Sequence, residues 1–220
     1  MRDYVTVVSG APRSGTSLMM RMLEAGGIPA LTDAQRPPDA HNPHGYFEYS
    51  PVKRLALGDD ASWIEAARGK AVKVIYRLLT YLPPRMTYRT VFMERDLEEV
   101  FASQRDLLLA QGDAAALQEP AHLIPALAAE LRIARDWLAR QPNMSVLPVP
   151  YAELVRDPLT WSHEVARFLG GGLDEAAMAA AVDPSLYRHR PTPLAQAGRE
   201  ALAAAPDPGE FAAPPARPKR

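Results

Sequence analysis

The segment "YVTVVSGAPRSGTSLMMRML", residues 4–23, limits what this chain can fold into more than any other. Its first five residues are β-branched or aromatic and run into Ser-Gly, the pattern of a buried strand. Beyond the turn, Leu18, Met19, Met22 and Leu23 recur at helical spacing, and Gly26-Gly27 supplies the stop. A strand, a tight Gly-containing turn and a helix in succession aim backbone N–H groups and a positive helix end at one point. That is an anion cradle. "GAPRSGTS" adds the hydroxyls of Ser14, Thr16 and Ser17 and the guanidinium of Arg13. The bland alternative is a tight strand–helix turn in which Ser and Thr act only as caps.

What the cradle lacks is informative. Gly10 and Gly15 have the spacing of a nucleotide-hydrolysing phosphate loop, but Thr16 stands where that loop carries its lysine. Such loops set the lysine on the β- and γ-phosphates and a Ser/Thr on Mg²⁺. No apolar strand ends in a clear metal-binding aspartate. "VFMERD" comes nearest and presents Glu94, Arg95 and Asp96 together. An arginine inside the turn suits a compact oxyanion that needs no bridging metal.

Further strands are expected at "KAVKVIYRLL" (70–79), "YRTVFMER" (88–95) and "MSVLPVPYAEL" (144–154), with a helix near 60–68. Asp96 with Glu99 three residues on reads as a capping box opening a helix. Pro125 can open another, with Leu127, Leu131, Ala134 and Leu138 on one face. Asp157 and Pro158 begin a third that ends in glycines. Residues 29–50 lack periodicity and form a long loop, a feature that is often functional in a compact domain. Strands alternating with helices predict an α/β fold, a three-layer sandwich with a central parallel sheet and P-loop topology. The domain is expected over 1–190, followed by an Ala/Pro-rich tail at 191–220 that is partly disordered. A net charge of −1 argues against general nucleic-acid binding, and the absence of cysteine removes disulfides and thiolate sites. No apolar run reaches the ~18 residues of a membrane span. The N-terminus enters its first strand directly, so a cytoplasmic enzyme is expected.

Arg95 closes a predicted strand and Ser103 lies eight residues on, two turns into the next helix. With the loop above, this pair resembles the sulfotransferases that use 3′-phosphoadenosine 5′-phosphosulfate (PAPS). "VPYAELVRDP…VARFLG" at 149–170 is similar to another segment of that family. "NPHGYFEYSPVKRL" and "KVIYRLLTYLP" look like its bacterial branch, so the resemblance spans roughly residues 4–190. It implies that Arg95 and Ser103 grip the donor's 3′-phosphate, while Ser14, Gly15, Thr16 and Ser17 hold the 5′-phosphate. Arg13 would take the place of the family lysine on the bridging oxygen. Tyr151 resembles the tyrosine that approaches the adenine, and Lys73 a lysine beside the transferring sulfonate. Arg188 and Arg190 would close over the 3′-phosphate, although the "RKGxxGDW" of the cytosolic branch is absent.

Read without the resemblance, each residue has a plainer role. Arg95 can pair with Asp96 or Glu98 at the surface, Ser103 can be a helix-surface hydroxyl, and Tyr151 can pack in the core. Lys73 can snorkel from an edge strand.

An acceptor hydroxyl needs a general base. The loop 29–50 offers Glu48, with His44 and His41 behind it; a helix-start carboxylate and solvated histidines are the alternatives. The implied donor is PAPS, leaving 3′,5′-ADP, with no metal required. The acceptor is a small molecule, carbohydrate or lipid. Trp63, Tyr46, Phe47 and His122 can line its pocket. The competing readings are a small P-loop kinase and a catalytically silent nucleotide-binding module.

Overall fold

The computed structural model describes residues 2–33, 35–58, 61–113 and 123–188. Four strands, β1 (Val5–Gly10), β2 (Ala71–Lys73), β3 (Tyr88–Glu94) and β4 (Met144–Pro150), form one parallel sheet in the order β2-β1-β3-β4. β1 lies inside the sheet and is buried at all six positions, which is why its sequence is an unbroken rather than an alternating run. In the register, Val8 faces Lys73 on one side and Val91 on the other, Gly10 faces Met93, and Glu94 faces Pro150. Because the strands run the same way, crossovers return along the faces and all four carboxyl ends open on one edge.

Among the described residues, seven helices cover the sheet: α1 (Thr16–Ala25), α2 (Ser50–Arg54), α3 (Leu97–Ala110), α4 (Leu123–Ala139), α5 (Tyr151–Arg156), α6 (Pro158–Phe168) and α7 (Glu175–Ala180). One core packs Val8, Val91 and Val149 of the sheet against Met19 and Leu23 of α1, Leu154 of α5, Val165 of α6 and Met178 of α7. The other packs Val7, Val72, Tyr88 and Phe92 against Val52 of α2, Ile64, Leu79 and Leu138 of α4. The result is the expected α/β architecture, a parallel sheet between two helical layers. Two helix starts are where the sequence places them, whereas α4 is already helical at Leu123, before Pro125. Asp96 accepts from the amides of Glu98 and Glu99, and Asp157 accepts from Thr160 with Pro158 in the first turn. Among the described residues, no helix is long and apolar enough to cross a membrane.

Three expected elements are shorter or different. The strand expected over 70–79 pairs only at 71–73, and Tyr76–Tyr81 forms a 3₁₀ turn that buries Tyr76 and Leu79. After the amide of Val74 donates to Val8, the chain leaves the sheet, while β1 continues through Ser9 and Gly10 paired only with β3. The strand expected over 144–154 ends at Pro150, and its last residues form α5. The helix near 60–68 is a 3₁₀ turn at Ser62–Ala67. Within the 29–50 loop, Ala71 donates to Pro29 and Leu31 donates to Ala71, covering the free edge of β2. The tail at 191–220 and His122 lie outside the described residues.

Candidate active site

In an open parallel sheet the binding crevice forms at the carboxyl ends, where crossovers depart in opposite directions. Here β2 and β3 flank β1, and a cleft of about 570 Å³ opens at that edge. Each strand supplies part of its lining. Loop residues Pro12, Arg13 and Gly15 follow β1, Lys73 ends β2, Arg95 follows β3 and Tyr151 follows β4.

The turn after β1 is built around its glycines. A Cβ on Gly10 (φ 140°) would lie 2.6 Å from the Met93 carbonyl oxygen, and one on Gly15 (φ 98°) would lie 2.4 Å from the Tyr151 ring. Both positions need positive φ and close approach, which only glycine tolerates. Arg13 also has positive φ, 67°, and is held there by its neighbours. Its carbonyl accepts from Arg95 Nη1 at 3.0 Å, its Nε donates to Ser103 Oγ at 3.0 Å, and its Nη2 donates to the His41 carbonyl at 3.3 Å. Burial pulls the Arg13 guanidinium below its ordinary value, Tyr46 opposes that, and the charge of Arg95 adds to it.

Ser14 Oγ donates to the Ala11 carbonyl at 2.7 Å, and Ser17 Oγ to that of Tyr46 at 3.4 Å. Ser14 and Thr16 are buried. α1 begins at Thr16 with no side-chain cap and no acidic residue in its first turn. Its N-terminal dipole therefore faces the cleft without a side-chain anion to satisfy it.

Arg95 and Ser103 both contact Arg13 of the loop. The Arg95 side chain is 8% exposed, and its ion pair is with Glu99, at 2.8 Å, whose side chain is 3% exposed. Glu99 therefore turns back to Arg95, and only Asp96 performs the expected capping. The second Glu99 oxygen accepts the Tyr187 hydroxyl at 2.7 Å. The Arg95 guanidinium lies 4.4 Å from the Tyr151 ring centre and 5.5 Å from that of Tyr187, and the two rings meet edge-to-face at 5.1 Å. Tyr151 thus lines the cleft and also packs beneath Gly15.

On the opposite side, Glu48 is bracketed by Arg36 at 3.1 Å and Lys53 at 2.5 Å. Burial alone would raise its carboxyl, but Lys53, Lys73 and Arg36 together hold it below the usual carboxylate value. Lys73 donates to the Tyr46 carbonyl. Burial pushes Lys73 down to about 8, against the pull of Glu48 and with help from the charges of Arg36, Lys53 and Arg13. Lys73 is the last residue of β2 rather than mid-strand, which lets its amine reach the cleft. Asp39 orders the loop by accepting from the amides of His41 and Asn42 and from the Tyr46 hydroxyl at 2.6 Å. The Arg36 guanidinium lies 3.4 Å over the Tyr46 ring. His41 and His44 line the cleft, as do Val52, Ile75, Leu78 and Leu107. Arg188 lines it too and donates to the Ala40 carbonyl at 3.2 Å, while Arg190 lies outside the described residues.

Seven lysines and arginines line the cleft against three carboxylates, Glu48, Asp106 and Asp183. The positive field is local, because the whole chain has a net charge of −1. Sequence reading missed Glu99, Tyr187, Arg36 and Lys53. The four-residue spacing of Arg95 and Glu99 was the available signal for the first; the others depend on long-range folding.

No family model and no curated protein sequence matches this chain. Solved structures do. A mouse sulfotransferase complexed with PAP superposes with a TM-score of 0.53 at 15% identity, covering 92% of this chain and 83% of the other. A Mycobacterium tuberculosis sulfotransferase gives 0.53 at 16% identity, with 93% and 78% covered. The sulfotransferase domain of the Synechococcus olefin synthase gives 0.51 at 16% identity, with 94% and 96% covered. The chain has the sulfotransferase fold.

Proposed function

We propose that the protein is a sulfotransferase that moves a sulfuryl group from PAPS to a hydroxyl or amine of a small-molecule, carbohydrate or lipid acceptor. What carries this reading is the convergence of Arg13, Arg95 and Ser103 on one glycine-built turn at the carboxyl edge of the sheet. The donor set fits a doubly phosphorylated nucleotide. There is an uncapped helix start, a cradle that a Cβ would fill, and arginines in place of a Walker lysine. When bound, PAPS supplies the sulfonate and a phosphate leaving group.

The first-turn amides and the hydroxyls of Ser14, Thr16 and Ser17 hold the 5′-phosphate, with Gly15 giving it room. Arg95, Ser103 and Arg188 take the 3′-phosphate, and Tyr151 lies against the adenine. Arg13 neutralises charge on the departing phosphate oxygen, the main task of a site that works by positioning and electrostatics. Lys73 lies beside the sulfonate, and Glu48 accepts the acceptor's proton. Arg36 and Lys53 keep Glu48 ionised, while lowering its basicity. His44 and His41, on the same loop, are the alternative bases.

Thermal shift tests the reading. 3′,5′-ADP is expected to stabilise the protein, and Arg95→Ala to abolish that shift. Stabilisation by ATP with Mg²⁺ and none by 3′,5′-ADP would sink the donor assignment and point to a kinase-like site.

A further inference from the structure

We propose that Tyr187 is a positioning residue for recognition of the donor's 3′-phosphate, acting through Glu99 on Arg95; this rests on the donor assignment above. The orientation of Arg95 is set from several sides. Its Nε is held by Glu99 Oε2 at 2.8 Å, its Nη1 by the Arg13 carbonyl at 3.0 Å, and its face lies 4.4 Å from the Tyr151 ring centre. Glu99 fixes the first of these contacts, so whatever fixes Glu99 aims the guanidinium.

That second anchor comes from far along the chain. Glu99 is almost wholly buried, and its other oxygen takes the Tyr187 hydroxyl at 2.7 Å, across 88 residues of sequence. A buried carboxylate that loses one of its donors moves to find another, because an unserved oxygen in that surrounding is costly. The phenol therefore locks the carboxylate, and the carboxylate locks the arginine. The ring of Tyr187 has its own contacts, edge-to-face with Tyr151 and 5.5 Å from the Arg95 guanidinium. Removing only the hydroxyl would leave those contacts in place.

The next residue ties the same segment to the front of the cleft. Arg188, in the stretch that follows α7, lines the cleft and donates to the Ala40 carbonyl. Tyr187 thus steadies Arg95 through Glu99, while its neighbour is tied to the 29–50 loop. The affinity that the 3′-phosphate adds should then depend on the Tyr187 hydroxyl, while the rest of the nucleotide should not register its loss.

The experiment is calorimetric titration of the full chain with 3′,5′-ADP and with 5′-AMP, which lacks the 3′-phosphate. Wild type should bind 3′,5′-ADP more tightly. Tyr187→Phe should cut that preference about tenfold, the scale of one hydrogen bond to a charged group, and leave 5′-AMP affinity unchanged. In an Arg95→Lys background the same change should have no further effect, because the relay then has nothing to aim. An unchanged preference in Tyr187→Phe, or equal weakening of both nucleotides, would overturn the proposal, the latter marking a merely structural tyrosine. If the wild type itself does not prefer 3′,5′-ADP, the donor assignment fails first and the relay falls with it.

Discussion

The two walls of the cleft are held by different physics. On the wall proposed to hold the donor, Arg13, Arg95 and Tyr151 sit just beyond strand ends, and the ion pair Arg95–Glu99 is 8% and 3% exposed. On the acceptor wall, Glu48 is 18% exposed and its partners Arg36 and Lys53 are 36% and 63% exposed. The sheet register fixes the first wall. The second is a loop in which the amides of His41 and Asn42 donate to Asp39 and Thr32 Oγ1 donates to the Glu48 carbonyl, with Arg13, Ser17 and Lys73 donating to its carbonyls from outside. Under the proposed function, a rigid wall would suit a constant donor, and a loop that can be rebuilt would suit a variable acceptor.

The largest effect should come from separating the walls chemically. Glu48→Gln is expected to lower turnover about 10²–10⁴-fold, the usual contribution of a general base, and to leave 3′,5′-ADP binding intact. Steady-state rates beside a nucleotide titration check this. Near wild-type turnover would move the base to His44 or His41, and a loss of nucleotide binding would mean that the walls are not separable.

Next is a change confined to the donor wall. Gly15→Ala puts a methyl 2.4 Å from the Tyr151 ring at a position where φ is 98°. Strain and overpacking together should destabilise the fold by about 2–4 kcal/mol, read from chemical denaturation. A cost near zero would show that Tyr151 and the loop can give way, and that this wall is no stiffer than the other.

The same contrast decides what was legible in the sequence. The donor loop was readable because strand, turn and helix are contiguous, and Gly10 and Gly15 report a backbone requirement directly. Arg95 and Ser103 were readable because a strand end and two helical turns fix their separation. Glu99 was misread as the second half of a capping box, since spacing alone cannot tell which way a carboxylate turns. The run at 70–79 was over-read as strand because a short apolar stretch has the same composition whether it pairs or coils; its pairing stopped at Lys73, opposite Val8, although β1 runs on to Gly10. Arg36 and Lys53 reach the cleft, and Tyr187 reaches Glu99 behind it, only through loop closure or chain return, which no local pattern records. Most of the acceptor wall belongs to this class.

A third test uses pH to set the walls against each other. Lys73 is pushed by burial from about 10.5 down to about 8. If its cationic form serves the sulfonate, turnover should fall as pH rises through about 8, approaching tenfold per unit beyond it. Stability should respond in the opposite sense. Between about 8 and 10.5 the unfolded chain binds more protons at this lysine than the folded one, so its contribution to stability rises with pH over that window. A pH–rate profile flat to pH 9.5 would remove Lys73 from the chemistry. Glu48, held below the usual carboxylate value by Lys53, Lys73 and Arg36 despite burial, should put the acid limb below the ordinary carboxylate range.

The smallest expected effect tests how loosely the acceptor wall is held. Lys53 bridges Glu48 at 2.5 Å, but its side chain is 63% exposed, so solvent screens the pair. Lys53→Gln should therefore cost no more than about 1 kcal/mol of stability, in line with exposed ion pairs. In a chain of this size that is a fall in melting temperature of about 2–4 °C. The removed charge should still be felt at Glu48, whose carboxyl loses a hydrogen-bonding partner and rises toward its ordinary value, carrying the acid limb of turnover upward with it. A small stability loss with a shifted limb is the signature of a wall tuned by surface charge. A loss as large as that of Gly15→Ala would mean that the acceptor side is braced as firmly as the donor side, and the contrast between the two would collapse.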